Sequence, residues 1–249
     1  MTSNPKLAPP SVSIIVPTYR EAESLPYLID RIDRLRQAEL KTLELVIVDD
    51  DSRDGTAELV AHRGQSWVRL FVRTEDRGLS KAVLFGLRQA QNEVLVVMDA
   101  DLSHPPEVIP TMVEALTHGS DFVIGSRYVT GGSTADSWGA LRWVNSKVAT
   151  LLARPLTSIS DPMSGFFALT QATFARAERP NPLGYKIGLE LLVRCRCRHV
   201  REIPIHFSNR LHGESKLTIE QQLLYLRHLA RLYAFKLTPG SQPNASPEL

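Results

Sequence analysis

Hydrophobic residues along the first two thirds of the chain follow two alternating spacings. Short runs that are rich in β-branched residues and apolar on both faces predict strands that are covered on both sides. They lie at Val12–Val16, Leu43–Val48, Val68–Val72, Val94–Met98 and Phe122–Ile124. Between these runs, apolar residues recur every three or four positions, as they do from Leu25 to Leu35, which is typical of amphipathic helices. The alternation predicts an α/β fold with a mostly parallel, doubly wound sheet and helices on both faces.

After Gly131 the pattern loosens and predicts a helical C-terminal elaboration of the same domain. Helices are predicted at Ala140–Ala153, Lys186–Arg198 and Leu217–Leu237, and a short strand at Phe166–Leu169. The apolar run Ile203–Phe207 contains a proline, which confines a strand there to a sheet edge. We therefore expect one domain over residues 11–237, with a flexible N-terminus over 1–10 and a disordered tail over 238–249.

The composition excludes several classes of protein. The chain has 249 residues, 43% of them hydrophobic, which is enough to bury a large core and excludes intrinsic disorder. Its 29 basic and 27 acidic residues leave a net charge of +2, which is too balanced for a dedicated nucleic-acid-binding protein. The two cysteines, Cys195 and Cys197, exclude a disulfide framework and favour a reducing compartment. They fall in a helical pattern, which predicts thiols that point apart and serve packing.

The sequence also bears on the membrane. Residues 1–10 lack the apolar segment of a signal peptide, and no run of about 18 uncharged apolar residues occurs. We therefore expect a cytoplasmic protein without a spanning segment. Leu217–Leu237 combines leucines with basic residues, so this amphipathic helix either packs on the sheet, which is the default, or lies on an anionic bilayer.

Residues with chemical potential follow the predicted strands, at the sheet edge where ligands of open parallel sheets bind. Asp99 and Asp101 are the strongest signal, because two carboxylates just after a buried strand suit Mg²⁺ or Mn²⁺, and such an ion bridges to a diphosphate. Asp50 is either a second metal ligand or a contact to the ribose or base of a nucleotide, and we favour the nucleotide. Gly78 either brings backbone N–H groups to a phosphate or simply caps a helix.

Three further segments have weaker signals. The basic loop Arg210–Lys216 either clamps a phosphate or is solvated. Asp161–Gly165 is interpreted as a structural turn. Neither G-x-G-x-x-G nor G-x-x-x-x-G-K-[ST] occurs, which argues against a dinucleotide enzyme and a P-loop NTPase.

Seven motifs occur in order between Ser11 and about Phe235: VSIIVPTYREAESLP, VIVDDDSRDGT, GLSKAV, VMDADLSHPPEVIP, DFVIGSRYVTGG, DPMSGFFAL and GESKL. Together they resemble the family 2 glycosyltransferases, and most of all the dolichyl-phosphate (polyprenyl-phosphate) mannosyltransferases. The first Asp-rich motif and the Asp-x-Asp segment occur across family 2. MDADLSHPPE, SGFFAL and the R-x-x-G-E-S-K ending are more specific for the polyprenyl-phosphate enzymes.

The resemblance implies a GT-A type fold and a metal-dependent, inverting transfer of mannose from GDP-mannose to dolichyl or polyprenyl phosphate. It assigns nucleotide binding to Pro17, Tyr19, Glu21, Val48, Asp50, Gly78 and Ala100, and metal binding to Asp99, Asp101 and Ser103. It assigns catalysis to Asp99, Asp101, Arg210 and Lys216. The residues that it assigns to the donor or acceptor phosphates are Arg127, Arg142, Arg210 and Lys216. Glu190 also matches, without an assigned role. Some members carry glutamine at the position of Ser103 and arginine at that of His212.

The lipid acceptor implies a peripheral location on the cytoplasmic face of a membrane, with the membrane surface and a membrane-embedded anchoring subunit as partners and no nucleic acid. The acceptor phosphate is largely ionised at pH 7, because its second pKa is about 6, so no strong general base is needed. Three alternatives stay open: a polyprenyl-phosphate glucosyltransferase that uses UDP-glucose, a family 2 transferase with a soluble acceptor, and a non-catalytic protein that binds a membrane or a partner.

Overall fold

The computed structural model describes residues 10–135, 140–178, 180–209 and 219–238, with backbone alone for 140–145 and 219–220. The strands are β1 (Val12–Thr18), β2 (Leu43–Asp49), β3 (Val68–Val72), β4 (Val94–Val97), β5 (Phe122–Ser126), β6 (Ser133–Thr134), β7 (Phe167–Thr170), β8 (Val200–Pro204) and β9 (His206–Phe207). The helices are α1 (Leu25–Ala38), α2 (Thr56–Arg63), α3 (Leu79–Gln89), α4 (Ile109–Thr117), α5 (Ala140–Ala153), α6 (Gln171–Ala175), α7 (Ile187–Arg194) and α8 (Ile219–Leu237), and a 3₁₀ turn (Pro106–Val108) precedes α4. The predicted flexible N-terminus and disordered tail fall almost wholly outside the described residues.

Seven strands form the central sheet in the order β3-β2-β1-β4-β7-β5-β8, and β6 pairs with β9 in a small separate sheet. Four of the six neighbouring pairs in the central sheet are parallel, and β7 runs antiparallel to both β4 and β5. The predicted mostly parallel sheet is confirmed. The strand expected at Phe166–Leu169 is β7, and the proline-containing run contributes the edge strand β8 as well as β9.

Helices cover both faces of the sheet, as predicted, and alternate strand residues point to two cores. Ile15, Val46 and Leu95 pack with α3, α7 and α8 on one face. Ile14, Leu45 and Val96 pack with α1 and α4 on the other. Because successive side chains of a strand point to opposite faces, a strand that is buried on both sides is apolar at most of its positions. β1, β2 and β4 are buried along their whole length.

Two local features differ from the sequence prediction. β3 is half-buried rather than covered on both sides, because it is an edge strand, and its Arg69 forms an ion pair with Glu44 at 2.8 Å. Helix α2 escaped prediction because only Thr56 is buried in its eight residues, so the sequence carries no apolar stripe there.

The cysteines also differ from the prediction. Helix α7 ends at Arg194, so Cys195 and Cys197 lie beyond its last turn, and Arg196 between them has a φ of +51°. The backbone therefore leaves helical geometry between the two cysteines, and both thiols are free. The hydrogen bond with Cys195, together with burial, raises the pKa of the Cys197 thiol. The expectation that both cysteines lie within the helix is therefore wrong.

A buried cluster of charged groups joins α8 to α7. The Glu190 carboxylate is fully buried and lies 2.7 Å from Nε2 of His228, which must donate because a carboxylate can only accept. Its other oxygen accepts hydrogen bonds from Arg194 and from the backbone N–H of Asn181. Burial would raise the pKa of Glu190, but these donors and the charge of Arg194 hold it below its usual value. Glu190 therefore fixes α8 on the domain.

Within the described part of the chain, no helix is both long enough and apolar enough to cross a bilayer.

Replacement of Glu190 by glutamine removes a charge that three donors share and leaves Arg194 without its buried partner. Breaking a buried ion pair from one side typically costs 3–5 kcal/mol, so we expect Glu190→Gln to lower the free energy of unfolding by about 3 kcal/mol in urea titrations. Glu178→Gln is the matched control, because Glu178 pairs with Arg196 on the surface, and we expect about 1 kcal/mol or less. Equal losses in the two variants would contradict the role given to Glu190.

Candidate active site

The carboxyl ends of β2, β1 and β4 meet at one edge of the sheet. β1 lies between the other two strands and is parallel to both, so the loops that follow all three emerge side by side. Strand order also reverses at β1 and β4, since β2 and β3 extend to one side and later strands to the other. Open α/β sheets bind ligands at such a switch point. Pro17 and Val48 are register partners at the ends of β1 and β2, and both are buried beneath this edge.

The three consecutive aspartates after β2 have different partners. Asp49 accepts hydrogen bonds from the Thr18 hydroxyl at 3.1 Å and from the N–H of Ser52 at 2.8 Å. Asp51 forms an ion pair with Arg53 at the surface, and the hydrogen bond from Arg53 lowers the pKa of the Asp51 carboxyl. Asp50 is the member whose side chain contacts the loop that follows β3.

The Asp50 side chain is held by this loop. Its Oδ2 accepts a hydrogen bond from the Gly78 N–H at 2.6 Å, and its Oδ1 lies 3.0 Å from Nη1 of Arg73. Gly78 has a φ of +131° just before α3, a conformation that strains any residue with a Cβ. Asp50 Oδ1 and Arg73 Nη1 are buried, and neither has a partner with hydrogen-bond geometry among the described residues. These two polar atoms are the ones that a bound ligand could satisfy.

Tyr19 follows β1 and is half-exposed at the same edge. The guanidinium groups of Arg20 and Arg77 lie 5.3 Å and 5.1 Å from its ring centroid. The Arg20 N–H donates to the Ser52 hydroxyl at 2.8 Å, which ties the loop of β1 to that of β2. Glu21, next in the chain, is partly buried.

A tight turn after β4 holds the Asp-x-Asp segment. Asp101 is buried, and its Oδ1 accepts hydrogen bonds from the Ser103 N–H at 3.0 Å and from the Ser103 hydroxyl at 2.5 Å. Leu102 between them has a φ of +63°, which is costly for a leucine. Ala100 is buried, and Asp99 is partly exposed. The Ser103 hydroxyl, assigned to a metal by the resemblance, here orients the Asp101 carboxylate.

His104 is buried beneath this turn. Its Nδ1 accepts a hydrogen bond from the Asp99 N–H at 3.1 Å, and its ring stacks on Phe166 with centroids 5.2 Å apart. Burial lowers the pKa of His104, against the charges of Asp99 and Asp101. The imidazole is therefore neutral at pH 7, with its proton on Nε2.

Asp161 and Arg127 form a second buried ion pair near Asp99. Asp161 is fully buried and accepts hydrogen bonds from Nε and Nη2 of Arg127 at 2.7 Å each, and from its backbone N–H at 3.0 Å. Burial works against the charge on Arg127, but the hydrogen bonds and charge of Asp161 raise the pKa of the guanidinium. A Cβ on Gly165 of the same loop would lie 3.6 Å from Asp99 Oδ1. The Asp161–Gly165 loop therefore borders the site.

The chain matches the family model described as Glycosyl transferase family 2 over residues 13–176. It belongs to this family.

Three similar proteins are each named dolichol-phosphate mannosyltransferase. The protein from Mycosarcoma maydis is 44% identical over 236 residues, which cover 91% of this chain and 80% of that protein. The one from Saccharomyces cerevisiae is 43% identical over 236 residues, or 90% and 87% of the two chains. The one from Pyrococcus furiosus is 45% identical over 226 residues, or 89% of this chain and 63% of that protein.

Solved structures support the GT-A type fold. Glucosyl-3-phosphoglycerate synthase from Mycobacterium tuberculosis, in complex with Mn²⁺, UDP and phosphoglyceric acid, matches with a TM-score of 0.68. The match covers 93% of this chain and 80% of that one at 20% sequence identity. At this identity the likeness establishes the fold alone.

The carboxylates of this family 2 chain fit a Mg²⁺ or Mn²⁺ ion. Mg²⁺ is usually held by one or two carboxylates together with substrate phosphates and water, rather than by a cage of protein ligands. Asp99 and Asp101 supply two carboxylates on one turn, and the described residues contain no group of three or more His, Cys, Asp or Glu side chains that could hold a metal alone. The donor set suits an ion shared with a nucleotide diphosphate.

The structure brings together most of the predicted site residues of this family 2 protein. Arg210 and Lys216, as well as His212, lie outside the described residues, and for Arg142 only the backbone in α5 is described. Sequence reasoning missed Arg73 and undervalued Asp161. Arg73 could have been noticed because it directly follows β3, and Asp161 because it precedes an apolar strand. Neither position indicates which residue the side chain pairs with.

Proposed function

We propose that this chain transfers mannose from GDP-mannose to the phosphate of dolichol or a related polyprenol, with inversion at the anomeric carbon. The observation that carries the proposal is the likeness, at 43–45% identity over about nine tenths of the chain, to three proteins named dolichol-phosphate mannosyltransferase. Asp99 and Asp101 are both present on the turn after β4, which argues against a non-catalytic member of the family.

The loops of β1, β2 and β3 are the proposed nucleotide site. Asp50 Oδ1 and Arg73 Nη1 are buried without hydrogen-bond partners among the described residues, and the hydroxyls of a ribose can both donate and accept. Pro17 and Val48 form an apolar floor, and Tyr19 offers a half-exposed ring for the base. Glu21, Gly78 and Ala100 complete the proposed contacts. This arrangement supports a nucleoside diphosphate sugar as donor.

Asp99 and Asp101 are the residues that would hold Mg²⁺ or Mn²⁺. When bound, the ion would neutralise charge on the diphosphate leaving group. Ser103 would act through Asp101, since its hydroxyl and N–H both donate to that carboxylate. The hydrogen bonds within the turn already hold the Asp101 carboxylate in place, so the turn would need little reorganisation when negative charge develops on the leaving diphosphate.

The acceptor phosphate supplies its own nucleophile. Its second pKa of about 6 leaves the oxygen largely ionised at pH 7, so a base is not required. This agrees with the state of His104 beneath the Asp-x-Asp turn, since its Nδ1 is already occupied by the Asp99 N–H. Arg127, Arg142, Arg210 and Lys216 are the proposed contacts to donor and acceptor phosphates, and Arg210 and Lys216 the proposed catalytic cations.

A membrane surface is the proposed source of the lipid acceptor. Helices α5 and α8 are in contact, since the Tyr225 hydroxyl donates to the Ala149 carbonyl at 2.7 Å. Both expose large apolar side chains: Val148, Leu151 and Leu152 on α5, and Leu223, Leu226 and Leu237 on α8. Arg227 on α8 is also exposed and suits anionic headgroups. We therefore place the chain peripherally on the cytoplasmic face, with a membrane-embedded anchoring subunit as a further partner.

The proposal is tested by incubating the purified chain with GDP-[¹⁴C]mannose, dolichyl phosphate and Mn²⁺ and counting the organic extract. We expect lipid-soluble label that disappears with EDTA and falls when GDP, but not UDP, is added. Label from UDP-glucose instead would assign the chain to the polyprenyl-phosphate glucosyltransferases. A phosphorylated soluble acceptor is supplied in a parallel reaction. If the label then stays in the aqueous phase in a product that resists hydrolysis, the acceptor is a soluble compound rather than a lipid.

Asp101→Asn keeps the shape of the side chain and removes the charge that the ion requires. We expect at least a 100-fold loss of mannosyl transfer, on the scale of removing one electrostatic contact to the transition state. The control is Asp30→Asn on α1, whose exposed carboxylate pairs with Arg63, and its transfer rate should match the unchanged chain. Near-normal turnover by Asp101→Asn would refute the metal assignment.

Leu151 and Leu226 are 68% and 49% exposed, so aspartates there should disrupt membrane contact without opening the core. We expect the Leu151→Asp/Leu226→Asp double variant to lose most of its co-sedimentation with phosphatidylserine-containing vesicles. Tyr27→Asp is the control, because Tyr27 is 59% exposed on α1, which covers the opposite face of the sheet. If the unchanged chain itself fails to bind protein-free vesicles, attachment through an anchoring subunit is favoured instead.

A further inference from the structure

We propose that His104 is a positioning residue that sets the geometry of the Asp-x-Asp turn, and thereby its affinity for the divalent cation, through the hydrogen bond between its Nδ1 and the Asp99 N–H. The inference rests on the metal assignment in the proposed function. His104 has no role in that assignment.

The hydrogen bond closes the turn on itself. The Asp99 N–H donates to His104 Nδ1 at 3.1 Å, so the first and last residues of the segment 99–104 are tied together. Between them, Ser103 donates twice to Asp101, and Leu102 takes up the left-handed backbone that the reversal requires. The carboxylates of Asp99 and Asp101 therefore project from one closed loop, and the dimensions of that loop depend on the His104 imidazole that closes it.

The imidazole is itself fixed from outside the loop. It is fully buried, it stacks on Phe166, which directly precedes β7, and it meets Phe207 of β9 edge-on with centroids 5.3 Å apart. The Ser208 N–H also donates to the Ser103 carbonyl at 3.1 Å. Because the ring cannot turn without displacing these aromatic side chains, the direction of its Nδ1 is set by the core.

An imidazole does two separable things here: it packs, and it accepts a hydrogen bond. Phenylalanine at position 104 would retain stacking and lose the acceptor, which would leave the Asp99 N–H without its partner. Asparagine would retain an acceptor near the position of Nδ1 and lose the stacking. The pair of variants therefore separates a role toward the carboxylates from a role in the core alone.

The test is Mn²⁺ binding to the full chain, measured by electron paramagnetic resonance of the unbound ion at a fixed concentration of GDP. Loss of a group that orients metal ligands typically weakens binding by 10–100-fold, and we expect a loss in that range for His104→Phe. For His104→Asn we expect a loss below about tenfold, although its melting temperature should be the lower of the two. His118→Phe is the matched control at an exposed histidine of the α4 C-terminus, and its affinity should not change.

Affinity and thermal stability thus follow opposite orders in the two variants, which a purely structural role would not produce. Wild-type affinity in His104→Phe, or losses of affinity that follow the melting temperatures, would overturn the positioning role while leaving the metal assignment intact. Absence of Mn²⁺ binding by the unchanged chain would overturn the metal assignment and this inference with it.

Discussion

The reversed strand β7, which runs antiparallel between β4 and β5, determines which loops meet at the candidate site. If β7 ran parallel to its neighbours, the loop that precedes it would lie at the amino ends of the strands, opposite to the edge that carries the loops after β4 and β5. Because β7 is reversed, the segment Asp161–Gly165 arrives at the carboxyl ends of its neighbours. Asp161 there meets Arg127 from the loop of β5, and Gly165 approaches Asp99 from that of β4. The C-terminal third of the chain therefore completes the site.

Two fully buried carboxylates fix how this C-terminal part lies on the sheet. Asp161 joins the β7 loop to the end of β5, and Glu190 joins α7 to α8. Burial of a carboxylate costs several kcal/mol unless its oxygens are paired and hydrogen-bonded, and here each accepts from an arginine and from a backbone N–H. Apolar contacts in the two cores tolerate small shifts, whereas these pairs depend on orientation. Asp161 thereby fixes the loop that borders the site, and Glu190 fixes α8 on α7.

Much of the fold could be predicted from the sequence because β1, β2 and β4 are buried on both faces and are apolar at most of their positions. The edge that carries Asp50 and Asp99 was predictable for the same reason, since the ends of parallel strands converge. The direction of β7 could not be predicted, because the sequence of a four-residue strand does not indicate which strands it pairs with or whether it runs parallel to them. Arg73 and the pairing of Asp161 with Arg127 were missed since each depends on contact between segments far apart in the chain.

In the proposed metal site, Ser103 supports a carboxylate, and the protein ligands proposed for the ion are Asp99 and Asp101. Serine is a short side chain, and a longer amide side chain at this position would reach further toward an ion. Ser103 instead directs its hydroxyl and its N–H to one oxygen of Asp101. An ion held by two carboxylates and a diphosphate already has oxygen ligands from both sides. The protein then needs to orient its two carboxylates correctly rather than to provide more ligands. The closed turn from Asp99 to His104 supplies this orientation.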